Sequence, residues 1–345
     1  MVSVSVMDCA KAGSALDHSL PILAFQPLLK RARWGGRRLG TVLHKRLGSE
    51  IDYAESWELC DLGTQQTSVQ SGPYADWTLE RLVEFRRREL LGPDSQTDQF
   101  PLLIKYLDAQ DRLSVQVHPN DGMARRLHNH PRGKTEAWLI LEAEPGSELF
   151  VGLKEGVTEA AFRRHLAAGT VAECLHRFPA RVGQCVLVPA GTVHAIGEGI
   201  VLAEVQQSSD LTYRLDDWGR VDADGQPRPL QIAAGLECLD FERGPVLPVV
   251  PRRLSSAGPI AEQLAECDYF SMVRYSGSGP WCVPDDGQLH IVLVVHGSAT
   301  VQASGQSALW GLGSTLVLPA VREDVVWHCD ENTVLLDVIP GKCGL

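Results

Sequence analysis

Three stretches of the chain place polar, metal-ligating or charged side chains inside an apolar β pattern. Leu113-Ser-Val-Gln-Val-His118 alternates, so a strand there puts Ser114, Gln116 and His118 on one face and Leu113, Val115 and Val117 on the other. Polar groups turned inward need partners, and a metal ion is one such partner. The competing reading is a solvated strand face with an exposed histidine. Gly133-Lys-Thr-Glu-Ala-Trp-Leu-Ile-Leu141 sets Lys134 and Glu136 on a shared face ahead of a strong β run. Glu136 is there either as a salt-bridged wall residue or as an anionic metal ligand. Val201–Arg220 alternates Glu204, Gln206 and Ser208 with apolar neighbours, then brings Arg214 and Arg220. An arginine beside a metal pocket suits phosphate, because its planar fork binds oxygens in pairs. The bland alternative pairs both arginines with Asp210, Asp216 and Asp217 on the surface.

These side chains must be held by β structure. Gly183-Gln-Cys-Val-Leu-Val-Pro189 and Gly313-Ser-Thr-Leu-Val-Leu-Pro319 repeat Gly-x5-Pro: glycine turns the chain, the apolar run fills a wall and proline ends the strand. Two copies suggest two related β units. The first continues to Gly191 and His194, and Gly-x5-Pro-x-Gly-x2-His is similar to the second motif of the cupin barrels, whose closing histidine is a metal ligand. With His118 and Glu136, His194 makes a His, His, Glu set that leaves zinc an open position, the mark of a catalytic site. The carbonyl of Gln116 is able to complete the shell. The second copy has Val321 and Asp324 at the glycine and histidine positions and reads as metal-free.

Elsewhere the sequence predicts an amphipathic helix over Leu79–Leu91, stopped by Gly92-Pro93, and a short one over 158–168 ending at Gly169. Short strands are expected over 113–118, 137–141, 185–188, 201–207, 291–295, 299–303 and 316–318. Pro245, Pro248 and Pro251 mark a stiff connector. The expected domains are a loose tail at 1–21, a catalytic cupin domain at 22–244 and a degenerate cupin-like β domain at 245–345. The 345 residues are 44% hydrophobic and 22% charged, which is enough to bury a core. A net charge of −11 argues against nucleic acid as a partner. No apolar run is long enough for a membrane helix, and the N-terminal residues lack a signal-peptide pattern. Nine cysteines without a C-x-x-C pair suggest reduced thiols and a cytoplasmic setting. Oligomeric state is not legible.

Several blocks together resemble the type I phosphomannose isomerases, in the shorter bacterial form. They are Trp34-Gly-Gly, Glu55-Ser-Trp-Glu-Leu, Phe100-Pro-Leu-Leu-Ile-Lys, Leu113 to Asp121, Gly133-Lys-Thr-Glu-Ala-Trp, Val188 to Ala195, Glu204 to Asp210, and Tyr213-Arg214. They run in the family's order and cover most of residues 22–240. The resemblance implies a mainly β fold of two cupin-like jelly-roll β-barrels, with a few helices on the first. It implies one zinc ion (Zn2+) per chain at Gln116, His118, Glu136 and His194. Arg214 matches the arginine regarded as catalytic in the family, and Lys134 and Glu204 match pocket positions. Ser114 and Arg220 match positions toward the phosphate. Trp218 departs from the Tyr or Phe expected there, and Glu198 from the Asn common in cupins.

The implied reaction interconverts mannose 6-phosphate and fructose 6-phosphate through a cis-enediol, with a phosphorylated hexose as the substrate. Lys134 and Glu204 are both candidates for proton transfer by residue type, and the sequence does not choose between them. Two rivals use the same residues. One is a non-haem iron cupin oxygenase, since two histidines and a carboxylate also serve Fe2+. The other is a non-catalytic sugar-binding cupin.

Overall fold

A computed structural model describes residues 19–221, 225–255, 259–303 and 305–342. The expected loose tail therefore falls almost wholly outside the described residues. The fold is mainly β, as expected, and each half is built on a pair of antiparallel sheets. In the first half a six-stranded sheet runs in the order Cys185–Val188, Glu136–Ala143, Ile200–Gln207, Leu102–Ala109, Tyr53–Leu59, Leu28–Gly36. It faces a five-stranded sheet ordered Leu175–Pro179, Glu148–Leu153, His194–Ile196, Val115–Val117, Tyr213–Asp216. The second half pairs an eight-stranded with a four-stranded sheet. The strand orders are those of open sheets.

Strand period decides what each face carries. In Ile200–Gln207, Val201, Ala203 and Val205 join the apolar core shared with Phe270, Met272 and Leu336 of the second half. Leu202 turns the opposite way, into a core with Trp138, Ile140, Val151 and Ile196 between the two sheets of the first half. Glu204 and Gln206 follow Leu202 onto that inner face. Leu102–Ala109 behaves alike: Leu102, Ile104 and Tyr106 face the second half, and Leu107 and Ala109 face inward. Lys105 is thereby carried inward with them. Both faces of these central strands are buried, so their sequences read as nearly continuous apolar runs interrupted by single charges.

The expected helix forms over Leu79–Leu91, capped by the Thr78 hydroxyl accepting from Arg81 N. The second forms over Glu159–Ala168, with Thr158 as its N-cap and Gly169 in the left-handed conformation that ends it. The two Gly-x5-Pro echoes both contain strands, Cys185–Val188 and Thr315–Leu318. The strand Leu23–Gln26 pairs with Thr315–Leu318, so the start of the described chain completes the sheet of the second half. Leu20 is buried there as well. The helix Asp121–His128 follows the candidate strand directly, with the Asn120 carbonyl oxygen of its side chain accepting from Met123 N.

Candidate metal centre and active site

The five-stranded sheet supplies a row of polar side chains. His194 stands opposite Gln116, and Gln116 opposite Arg214, in antiparallel register. Directly opposed residues share a face. Gln116 Nε2 lies 3.2 Å from His194 Nε2, and a half-turn of that amide presents its carbonyl oxygen to the same point. The six-stranded sheet supplies Glu136, opposite Gln206 at the start of its strand. His118 comes from the turn just after Val115–Val117.

Three donors converge. His194 Nε2 is 3.4 Å from Glu136 Oε1, and His118 Nε2 is 3.6 Å from Glu136 Oε2. Ligands bound about 2.0–2.2 Å from a tetrahedral zinc stand about 3.3–3.6 Å apart, which both Glu136–histidine spacings match, and all three donors lie within 4.8 Å of one another. Tautomers fit as well. His118 Nδ1 meets the Leu211 carbonyl at 2.9 Å, and His194 Nδ1 meets the Thr192 carbonyl at 2.9 Å. A carbonyl only accepts, so each Nδ1 carries the proton and each Nε2 turns a lone pair inward. Burial keeps both rings neutral: the His118 pKa falls well below the ordinary value and that of His194 falls to about 4. Glu136 is 1% exposed, and its Oε1 receives no hydrogen bond. Its one charged neighbour of opposite sign at close range is Lys134, whose Nζ lies 2.8 Å from Oε2. Two inward lone pairs and a buried carboxylate form a donor set suited to a divalent cation.

Main-chain contacts hold the ligand-bearing segments together. Gly191 N donates to His118 O at 2.8 Å, and Lys134 N to Pro119 O at 2.9 Å. Gly133 is required by this approach, since a Cβ there would meet Pro119 O at 2.3 Å and Asn120 C at 2.5 Å.

Beside the three ligands lies a buried band of alternating charge. Lys134 Nζ is 3.6 Å from Glu204 Oε1 and 3.4 Å from His118 Nε2. Burial opposes the Lys134 charge, but Glu136 and Glu204 outweigh it and its pKa is raised. Glu204 Oε2 accepts from Trp138 Nε1 at 3.2 Å, across the strand pair that sets them opposite. Burial, the largest effect, raises the Glu204 pKa against the pull of Lys134 and Lys105.

Lys105, opposite Glu204 on the next strand, was not among the residues singled out from the sequence. Its Nζ lies 3.3 Å from Glu55, 3.7 Å from Glu204 and 3.7 Å from Asp210, over the Trp57 ring. Burial works against its charge, but these carboxylates and Glu136 prevail and its pKa is raised. The signal was a lone lysine inside Leu-Leu-Ile-Lys-Tyr-Leu, where a fully buried strand has no bland use for an ammonium.

Ser114 is buried, just before the strand that carries Gln116. Arg214 keeps its place in the row beside Gln116, and its Nη1 donates to Pro229 O at 2.9 Å. Arg220 is held by Asp217 at 2.6 Å, by Asp111 at 2.9 Å and by the Arg112 carbonyl. Arg220 thus takes the partner Asp217 that the sequence offered, but in a nearly buried pair rather than on the surface, and Arg228 also meets Asp217. Trp218 adopts φ 60° and donates to Leu113 O at 2.6 Å, so it packs just ahead of the strand that carries Gln116.

Fold and site together define a mainly β, cupin-like protein with a buried His, Glu, His metal-capable centre. The family model for the catalytic domain of type I phosphomannose isomerase matches residues 22–163. Mannose-6-phosphate isomerase ManA of Bacillus subtilis is 34% identical over 306 residues, spanning 86% of this chain and 92% of that one. A mannose-6-phosphate isomerase of Streptococcus mutans is 33% identical, spanning 93% and 99%. The crystal structure of the mannose 6-phosphate isomerase from Bacillus subtilis superposes with a TM-score of 0.85 at 27% identity, over 93% of this chain and 99% of that one. A phosphomannose isomerase variant from Salmonella typhimurium shares the fold, with a TM-score of 0.74 at 16% identity over 93% and 100%. The chain belongs to the type I phosphomannose isomerase family.

Proposed function

We propose that the chain interconverts mannose 6-phosphate and fructose 6-phosphate at a zinc ion held by Gln116, His118, Glu136 and His194. The observation that carries this reading is the convergence of three buried metal donors with a carboxyl and an ammonium, Glu204 and Lys134, at their edge. An aldose and its ketose differ by a proton moved between C2 and C1, through a cis-enediol that gathers negative charge on oxygen. A bound divalent ion supplies Lewis-acid stabilisation of such charge.

The chain's own residues do the rest. Glu204 has a carboxyl whose pKa burial has raised, which suits a group that takes and returns a proton at Oε1. Lys134 is kept as an ammonium by Glu136 and Glu204, which suits it to donate to a sugar oxygen rather than act as base. Arg214 offers preorganised donors where charge develops. Ser114 and Arg220 take the phosphate end, with Asp217 and Asp111 setting the direction of the Arg220 fork. Phosphate anchoring lends remote binding energy to orientation at the reacting carbons. The catalytic centre lies within residues 22–244, and residues 245–345 form a β unit that packs behind it. The seven described cysteines are free thiols, which fits a reducing cytoplasm. Among the described residues no helix is long and apolar enough to cross a membrane.

The test is a coupled assay of purified protein with mannose 6-phosphate, following fructose 6-phosphate before chelation, after chelation and after zinc add-back. Turnover that disappears and returns supports reaction, substrate and metal together. Absence of turnover in zinc-loaded protein removes the substrate assignment.

A further inference from the structure

One carboxylate outside the metal donors joins every segment that bears one of the buried ligands. Asp121 Oδ1 accepts from Gly133 N at 2.7 Å and from Gln207 Nε2 at 2.9 Å. Gln207 Oε1 in turn accepts from Thr135 N at 2.9 Å, and Thr135 Oγ1 accepts from Ala190 N at 3.1 Å. The chain of bonds thus runs from the turn after His118, through the residues flanking Lys134 and Glu136, to the turn that leads to His194. Its other end leaves the first half of the molecule. Asp121 Oδ2 accepts from the hydroxyl of Tyr269, which stands at the start of the Phe270–Ser276 strand in the second half, at 3.1 Å.

We propose that Asp121 is a positioning residue for the metal centre, and that Tyr269 is the contact through which the C-terminal β unit fixes it. The physical ground is that Glu136 opens its strand and the segment just before it, Gly133 to Thr135, lies outside the sheet. Besides the single main-chain bond from Lys134 N to Pro119 O, the bonds at Gly133 and Thr135 set how that segment lies against the His118 turn. Gly133 has no side chain to wedge it, and its Cα sits so close to Pro119 and Asn120 that a small slide would lose the Lys134 N to Pro119 O bond. A carboxylate accepting two donors on one oxygen resists that slide better than a neutral acceptor. The hydroxyl on the other oxygen orients the carboxylate. Outer partners of this kind govern metal affinity and activity without touching metal or substrate.

The proposal rests on the mannose 6-phosphate reading for its kinetic arm and on the zinc assignment for its release arm, while amide exchange depends on neither. The experiment compares full-length Asp121→Ala, Asp121→Asn and Tyr269→Phe with the parent protein. Three quantities are read: zinc release to a competing chelator, kcat and KM for mannose 6-phosphate, and amide exchange of the peptide spanning 130–136. Asp121→Ala is expected to raise zinc release and lower kcat by about tenfold or more, with KM within about twofold, as outer-shell losses do. Asp121→Asn still accepts from Gly133 and Gln207 and should restore most of both. Tyr269→Phe, a peripheral change, should give a smaller loss of the same kind with faster exchange in 130–136. Parent-like zinc release and exchange in both Asp121→Ala and Tyr269→Phe would overturn the proposal, as would an Asp121→Asn no better than Asp121→Ala. If Asp121→Ala does not fold, Tyr269→Phe decides alone. If the parent turns over no mannose 6-phosphate, the substrate reading fails, and zinc release and exchange still decide this one.

Discussion

Lys105→Met removes the cation at the centre of the buried charge band and keeps most of the side-chain volume. Its Nζ stands 3.3 Å from Glu55 and 3.7 Å from Glu204 and Asp210. At an effective dielectric of about 20, pairs at such distances attract by roughly 4.5–5 kcal/mol each. Water screens Asp210, which is half exposed, and Glu55 in part, whereas Glu204 is buried. The burial cost of the ammonium itself offsets much of the gain. What remains after the substitution is a buried Glu204 carboxylate that keeps Lys134 at 3.6 Å but has lost its second cation, so the cost sits at the lower end of the about 3–5 kcal/mol of a broken buried pair. At roughly 2–4 °C per kcal/mol for a chain of this order of size, Tm should fall by about 10 °C. Lys105→Met combined with Glu204→Gln should recover at least half of that, because the stranded charge is gone. The pH profile gives a second reading. Lys105 pulls the Glu204 pKa down against burial, so its removal raises that pKa and moves the acid limb of kcat/KM to higher pH. Differential scanning calorimetry of the single and double variants, with kcat/KM measured from pH 5 to 9, checks both. A single variant melting within about 2 °C of the parent, with its acid limb unmoved, would refute the reasoning about the band.

Three further outcomes follow from the same geometry. His194→Ala removes an inward lone pair, so bound zinc and activity should fall together; elemental analysis showing full zinc beside full activity would remove His194 from the ligand set. Arg214→Ala should retain zinc and lose most turnover, whereas a rise in KM alone would make Arg214 a binding residue rather than one that stabilises charge in the transition state. In the second half, His290 is buried with Nδ1 2.9 Å from Asp337 and Nε2 3.3 Å from Asp286. Burial lowers its pKa, but the two aspartates outweigh it and the pKa is raised. A raised histidine stabilises fully below its unfolded value of about 6.5 and loses that contribution as pH climbs through the folded value. The parent should therefore lose more Tm between pH 6 and pH 9 than a His290→Gln variant does, as thermal melts at both values would reveal.

Much of the site was legible in the residues themselves because strand period is strict. The alternation put Ser114, Gln116 and His118 on one expected face, and Lys134 with Glu136 on another, although the strands that form, Val115–Val117 and Glu136–Ala143, hold only Gln116 and Glu136 of these. Glycine and proline marked the turn that aims His194, and the helices at Leu79–Leu91 and Glu159–Ala168 carried their caps in the sequence. What the period could not supply was which strands are neighbours. Lys105 became part of the site only because Leu102–Ala109 pairs with Ile200–Gln207 in the register that sets it opposite Glu204. Arg214 and Arg220, alike on paper, parted because one lies in a strand row beside Gln116 and the other meets Asp217 and Asp111 just past the strand. The bond from Tyr269 to Asp121 joins residues 148 apart. The local sequence thus determined which residue types point together along one strand. Only the tertiary structure decided which strands, turns and halves meet, because pairing over long separations is selected by the burial of whole sheets rather than by any local pattern.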